Sequence, residues 1–168
     1  MKKHLFLIMF ILFVSLLGSG CIGSGSGETT FQIQANSSQP NLASVYQDIE
    51  WCANAQKNLN LLKTDFDAVS NAVNNSDHTL LETSAQYVIN DTKKAIEEND
   101  QYQVSPELQN VQNEWKLALK DYNYAGRFLL LGANEAKSGN NGSESLQTAK
   151  KFSDSGATHL NRASALLG

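Results

Sequence analysis

Proline occurs only twice in the 168 residues, at Pro40 and Pro106, and β-branched residues are sparse after residue 40. A sandwich or barrel, which needs many tight turns between β-rich strands, is disfavoured. Cysteine also occurs only twice, at Cys21 and Cys52, with no Cys-x-x-Cys or Cys-x-x-Cys-His spacing. Thiolate zinc sites and covalent haem attachment need such spacings. Met1 and Met9 are the only methionines, so a chain that loses its first 20 residues has no Met axial ligand for haem. His78 and His159 lie outside any Glu-x-x-His pattern, and no serine stands in a Gly-x-Ser-x-Gly context. No metal, no cofactor and no catalytic residue is expected from these patterns. Positive charge is also scarce. The net charge is −4, or −6 once Lys2 and Lys3 are removed, which suits no nucleic-acid partner because phosphate binding needs clustered Lys and Arg.

What is present begins with Lys2 and Lys3, followed by an apolar run of 13 residues, LFLIMFILFVSLL, at 5–17. This length suits the core of an export signal and falls short of the roughly 20 residues that span a bilayer as a helix. Gly18, Ser19 and Gly20 then precede Cys21. A cysteine just after small residues resembles a lipoprotein processing site, at which the new N-terminal thiol carries a thioether-linked lipid. Bacterial processing sites usually place leucine three residues before the cysteine, where this chain has Gly18. Residues 22–39, IGSGSGETTFQIQANSSQ, read as a flexible tether whose ends lie roughly 20–25 Å apart as a random coil. The expected organisation is a signal peptide at 1–20, a lipid-anchored Gly/Ser-rich tether at 21–39 and a folded domain at 40–168.

After Pro40 the apolar residues recur at steps of three and four, the helical period. Four helices are expected, at 41–74, 79–102, 106–137 and 143–167. The first seam reads Leu42, Val45, Ile49, Cys52, Gln56, Leu59, Leu62, Phe66, Val69 and Val73, with a slip at Gln56. The second is Leu81, Ala85, Val88, Thr92, Ala95 and Asn99, with Thr79 or Asp77 as its cap. Ser105-Pro106-Glu107 supplies a cap hydroxyl, a proline at the first helical position and an acid near the positive helix end. The third seam runs from Leu108 through Trp115 and Tyr122 to Ala136 and stops at Gly139-Asn140-Asn141-Gly142. The fourth (Leu146, Ala149, Ser153, Gly156, Leu160, Ala163, Leu167) is rich in small residues, which predicts close packing and leaves core volume to Trp115, Phe128, Leu129 and Phe152. Short connections between four such helices imply an all-α, up-down-up-down four-helix bundle with coiled-coil-like seams. A helical-repeat fragment is the competing architecture, since Leu131-Gly132 followed by Gly139 has a tetratricopeptide flavour, but repeat folds need about three units.

Several residues invite a functional reading. Cys52, placed in the first seam, is expected to be a small buried apolar residue that a thiol reagent reaches only on unfolding. Asp65 and Asp67, two apart on a helix, point different ways. Glu97, Glu98 and Asp100 crowd a helix C-terminus, where the dipole disfavours them, and read as a solvated acidic tip or a weak cation or partner site. Trp115, Tyr122, Tyr124 and Phe128 follow helical spacing, which predicts core packing; a small-ligand pocket near Trp115 and Tyr122 is the alternative. Asn-x-Ser/Thr sequons at Asn36, Asn74, Asn90 and Asn141 permit glycosylation outside the cell.

The Cys21-Ile22-Gly23 start, the Ser/Gly tether, the stretch from Trp115 to Gly126 (WKLALKDYNYAG) and the segment from Asp154 to Ala163 (DSGATHLNRA) together resemble small uncharacterised lipoproteins of methanogenic archaea. The resemblance implies an archaeal cell-surface setting and a helical fold, and it transfers only Cys21, as the lipid attachment position. The expectation is a lipid-anchored protein on the extracytoplasmic face of the cell membrane. There a non-catalytic bundle binds a protein partner at the cell surface or acts as a spacer. The alternative is a sensor or carrier of a small ligand.

Overall fold

The computed structural model describes residues 46–167. The expected signal peptide, Cys21, the tether and the first five residues of the expected first helix lie outside the described residues. Four helices follow in order: α1 (Asp48–Asn75), α2 (His78–Asn99), α3 (Pro106–Lys137) and α4 (Ser143–Leu166). Among the described residues there is no strand, and the helices run up-down-up-down as a four-helix bundle. The most extensive contact is between α3 and α4, followed by α2 with α3 and α1 with α2.

The helix ends follow local chemistry. α1 stops where Ser76 adopts a left-handed backbone, φ 53°, and the Asp77 N–H donates back to the Ala72 carbonyl at 2.9 Å. Asp77 then caps α2, accepting from the N–H groups of Thr79 and Leu80 at 3.1 and 2.9 Å. Of the two rival caps, Asp77 therefore wins and Thr79 lies inside the first turn. Pro106 opens α3 as expected, but Ser105 makes no side-chain cap; its N–H instead donates to Asp48 Oδ1 at 2.8 Å. At the other end Gly139 takes φ 78°, and the N–H groups of Gly139 and Asn140 donate to the carbonyls of Ala136 and Glu135. This is the paired closure that glycine after a helix favours.

The seams of α2 and α3 bury the residues that periodicity selects, from Leu81 to Asn99 and from Val111 through Trp115 and Tyr122 to Leu129. α4 is pressed against α3. A Cβ on Gly156 would come within 2.7 Å of the Tyr122 ring, so only glycine admits that ring. Tyr122 also meets Phe66 edge-on, with ring centroids 5.2 Å apart, which ties α3 to α1 through the core.

Three expectations need correction. The first helix begins at Asp48, and Tyr46 and Gln47 are not helical. Gln47 is instead held to the α2–α3 loop, its N–H donating to the Gln103 carbonyl at 2.9 Å. The N-terminal half of α1 also turns a different face inward. Trp51 and Asn58 are buried, Ile49 is 82% exposed, Gln56 is exposed and Cys52 is half-buried. The inward line Trp51, Ala55, Asn58, Leu62 keeps the helical step without a slip. Finally, Phe128 and Phe152 contribute little to the core. They stack on each other near the surface with centroids 5.6 Å apart.

Candidate functional site

Polar side chains gather where the ends of α1, α2 and α3 meet. The Trp51 indole N–H donates to Asn99 Oδ1 at 2.9 Å inside the bundle. One turn along α1, the Asn54 and Asn58 amides donate to Glu98 Oε2 at 2.9 and 3.0 Å, and Asn58 also donates to Asn54 Oδ1. The Gln112 amide donates to the carbonyls of Asn99 and Tyr102, which close α2 and its loop. Lys116 reaches Asp100 at 2.6 Å. Glu98 is held below the ordinary carboxylate range, chiefly by the Asn58 and Asn54 amides, with Lys94 and Lys57 assisting against partial burial. The expected acidic tip therefore resolves into different environments. Glu98 and Asp100 are built into the junction, and Glu97 stays exposed beside Lys93. Each polar group here has a partner, so the junction fixes register among three helices.

The junction lay hidden in the sequence because its members are polar residues on an inward face. Counting back from Phe66 and Leu62 by helical steps reaches Asn58, then Asn54 and Ala55, then Trp51. That count was available without the structure, but a search for apolar residues alone runs instead along Leu59, Cys52 and Ile49.

Carboxylates also meet across helices at two other places. Asp65 on α1 faces Asp91 on α2, and its acid is pushed up to about 7, first by burial and then by the charge of Asp91. Asp67 points outward and pairs with Lys63 at 2.7 Å, so the two aspartates do diverge. On the α3–α4 seam, His159 Nδ1 lies 2.6 Å from Glu114 and its Nε2 lies 3.8 Å from Asp121. Among the described residues no group of three or more His, Cys, Asp or Glu could hold a metal ion.

Trp115 and Tyr122 are 5% and 3% exposed, within the core. The Tyr122 phenol is raised above its ordinary range by burial and then by the Asp121 charge, and its hydroxyl makes no hydrogen bond. Tyr124 and Phe128 leave the core. Tyr124 stacks on Phe152 at 5.2 Å between centroids and carries the Arg127 guanidinium 5.6 Å above its ring. Asn74, Asn90 and Asn141 are exposed, whereas Asn36 and Cys21 lie outside the described residues. Among the described residues, no helix is long and apolar enough to cross a membrane. No protein-family model, no curated protein and no solved structure matches the chain.

Proposed function

We propose that the chain is a cell-surface lipoprotein of the kind found in methanogenic archaea. Its bundle is held at the extracytoplasmic face of the membrane by lipid on Cys21 and works by binding or spacing, without chemistry of its own. The observation that carries this reading is the basic start and 13-residue apolar run at 5–17, closed by Gly18-Ser19-Gly20 immediately before Cys21. Two acyl or isoprenoid chains on one cysteine anchor stably, whereas a single chain gives marginal binding. In this reading the 18 residues at 22–39 hold the bundle near the surface without fixing its distance. Cys21→Ser tests the anchor. The variant is expected to fold and to leave the membrane fraction, or to accumulate uncleaved; a correctly cleaved variant that stays in the membrane fraction contradicts the proposal.

A second reading, in which the bundle carries a small ligand between its helices, draws on one observation: the Tyr122 hydroxyl is buried and makes no hydrogen bond. Without a ligand to satisfy it, that hydroxyl destabilises the core, so Tyr122→Phe leaves stability unchanged or raises it by up to about 1 kcal/mol. A loss of about 1 kcal/mol or more in urea denaturation of protein purified from its native membranes favours the ligand reading.

A further inference from the structure

The two helical hairpins differ in charge. From Asp48 to Asn99 there are four basic residues against nine acidic ones, whereas from Pro106 to Leu166 there are seven against six. The excess cations of the second hairpin are not neutralised in place. Lys120, Arg127, Lys151 and Arg162 are all exposed, and none forms an ion pair among the described residues, although Lys63, Lys93, Lys94, Lys116, Lys137 and Lys150 all do.

Two of these cations, Lys120 and Arg127, border an apolar strip on α3, and Lys151 and Arg162 lie on the neighbouring α4. Leu117, Tyr124 and Leu131 lie seven residues apart on α3 and are 40%, 48% and 46% exposed. Seven residues are nearly two helical turns, so the three side chains form one line about 20 Å long. Lys120 and Arg127 each follow a member of that line by three residues, and so sit beside it on the same outward face. Phe152 of α4 fills the crease between the helices by stacking on both Tyr124 and Phe128. On the inner side of the same pair, α4 approaches α3 closely where Gly156 meets the Tyr122 ring. The outer surface thus carries exposed aromatic, apolar and basic side chains together. Glu114 and Asp121 face His159 in the seam, Glu135 accepts from the Ser145 hydroxyl, and Asp154, exposed three residues after Lys151, pairs with Lys150. Glu144 is exposed in the first turn of α4, at the far end of the strip.

We infer that the outer face of α3 and α4 lies against an anionic lipid surface, with Tyr124 and its apolar neighbours at headgroup level and the four cations meeting lipid phosphates. Aromatic side chains with basic neighbours suit that boundary, and the acidic first hairpin is turned away from it. The inference rests on the proposed anchor only for bringing the bundle to the membrane. Its effect is orientation: the face of α1 and α2 is presented outward, where a protein partner would meet it.

Lysine acetylation of the full chain, kept to less than about one modification per molecule and read by mass spectrometry, tests this. The protein is reconstituted in vesicles of a neutral phosphatidylcholine or of the same lipid with about one-third anionic phosphatidylglycerol. On anionic vesicles Lys120 and Lys151 should react at least fivefold more slowly, relative to Lys57 and Lys93, than they do on neutral ones. Arg127→Glu with Arg162→Glu should restore their reactivity to within about twofold, with helix content unchanged by circular dichroism. Equal slowing at all four lysines, slowing that is the same on neutral vesicles, or slowing that survives the double variant would each overturn the docking. The mass of the N-terminal peptide in the same sample reports lipid on Cys21 separately, so failure of the anchor and failure of the docking are told apart.

Discussion

Asp65 and Glu98 shift in opposite directions, and their signs define where the bundle is most stable. Burial and the facing Asp91 favour the protonated form of Asp65, so the folded state holds a proton that the unfolded chain gives up near its ordinary value of 3.8. That contribution is complete below about 4 and is lost as pH rises through about 7. Glu98 is depressed by the Asn58 and Asn54 amides, so its contribution is present above its ordinary value of 4.5 and is lost as pH falls below that. Together these two groups are most favourable at about pH 4 to 4.5, and their joint contribution declines from there up to about 7. Asp65→Asn should flatten the decline in the urea midpoint between pH 5 and pH 8 and leave the variant the more stable protein at pH 8. A variant whose midpoint falls across that range as steeply as the parent's would show that the Asp65–Asp91 pair is not its source. Neither shift could be anticipated from sequence, because each depends on a group contributed by a different helix.

At the scale of the helix, the tightest requirement is the small stripe of α4. Gly156→Ala gains helix propensity worth about 1 kcal/mol but drives a methyl group into the Tyr122 ring. The ring is pinned by Phe66 on its other side, so the strain should prevail and the variant should lose about 1–2 kcal/mol. Thermal or urea unfolding checks this, and a variant more stable than the parent would mean that α4 can move away from α3 freely. The Gly156 result also bears on what periodicity can read. The small residues at Ala149, Gly156 and Ala163 predicted close packing of α4, and the proline-led start and glycine stop of α3 predicted its bounds at 106–137; the structure has both. The second seam was legible for the same reason, since every third or fourth residue from Leu81 to Asn99 is small or apolar apart from Thr92 and Asn99. Legibility failed where a polar residue faces inward. Asn58 and Asn54 belong to the α1 seam because Glu98 of another helix satisfies them, and a seam traced through apolar residues passes beside them. It failed in the opposite sense for Tyr124, Phe128 and Phe152, which are aromatic yet satisfy one another at the surface.

For the molecule as a whole, the described bundle explains how a partly polar chain of this length holds together, and the segment before it carries the proposed reason for its location. The two hairpins differ in charge: α1 and α2 are acidic, whereas α3 and α4 carry four exposed cations that form no ion pair among the described residues, two of them beside the apolar strip. In the proposed arrangement the 18 residues at 22–39 would act as a tether, and a Gly/Ser-rich tether lets a body rotate until one face meets the surface, which a rigid connection would not. Everything in that picture depends on Cys21 being the first residue of the mature chain and carrying lipid. The most direct measurement is the mass of the N-terminal peptide of the protein purified from its native membranes. The account predicts a peptide that begins at Cys21 and is heavier than its amino acids by a thioether-linked diacylglycerol or archaeol-type lipid, with no peptide from residues 1–20. A mature chain that begins at any other residue, or a Cys21 peptide of unmodified mass, would contradict it.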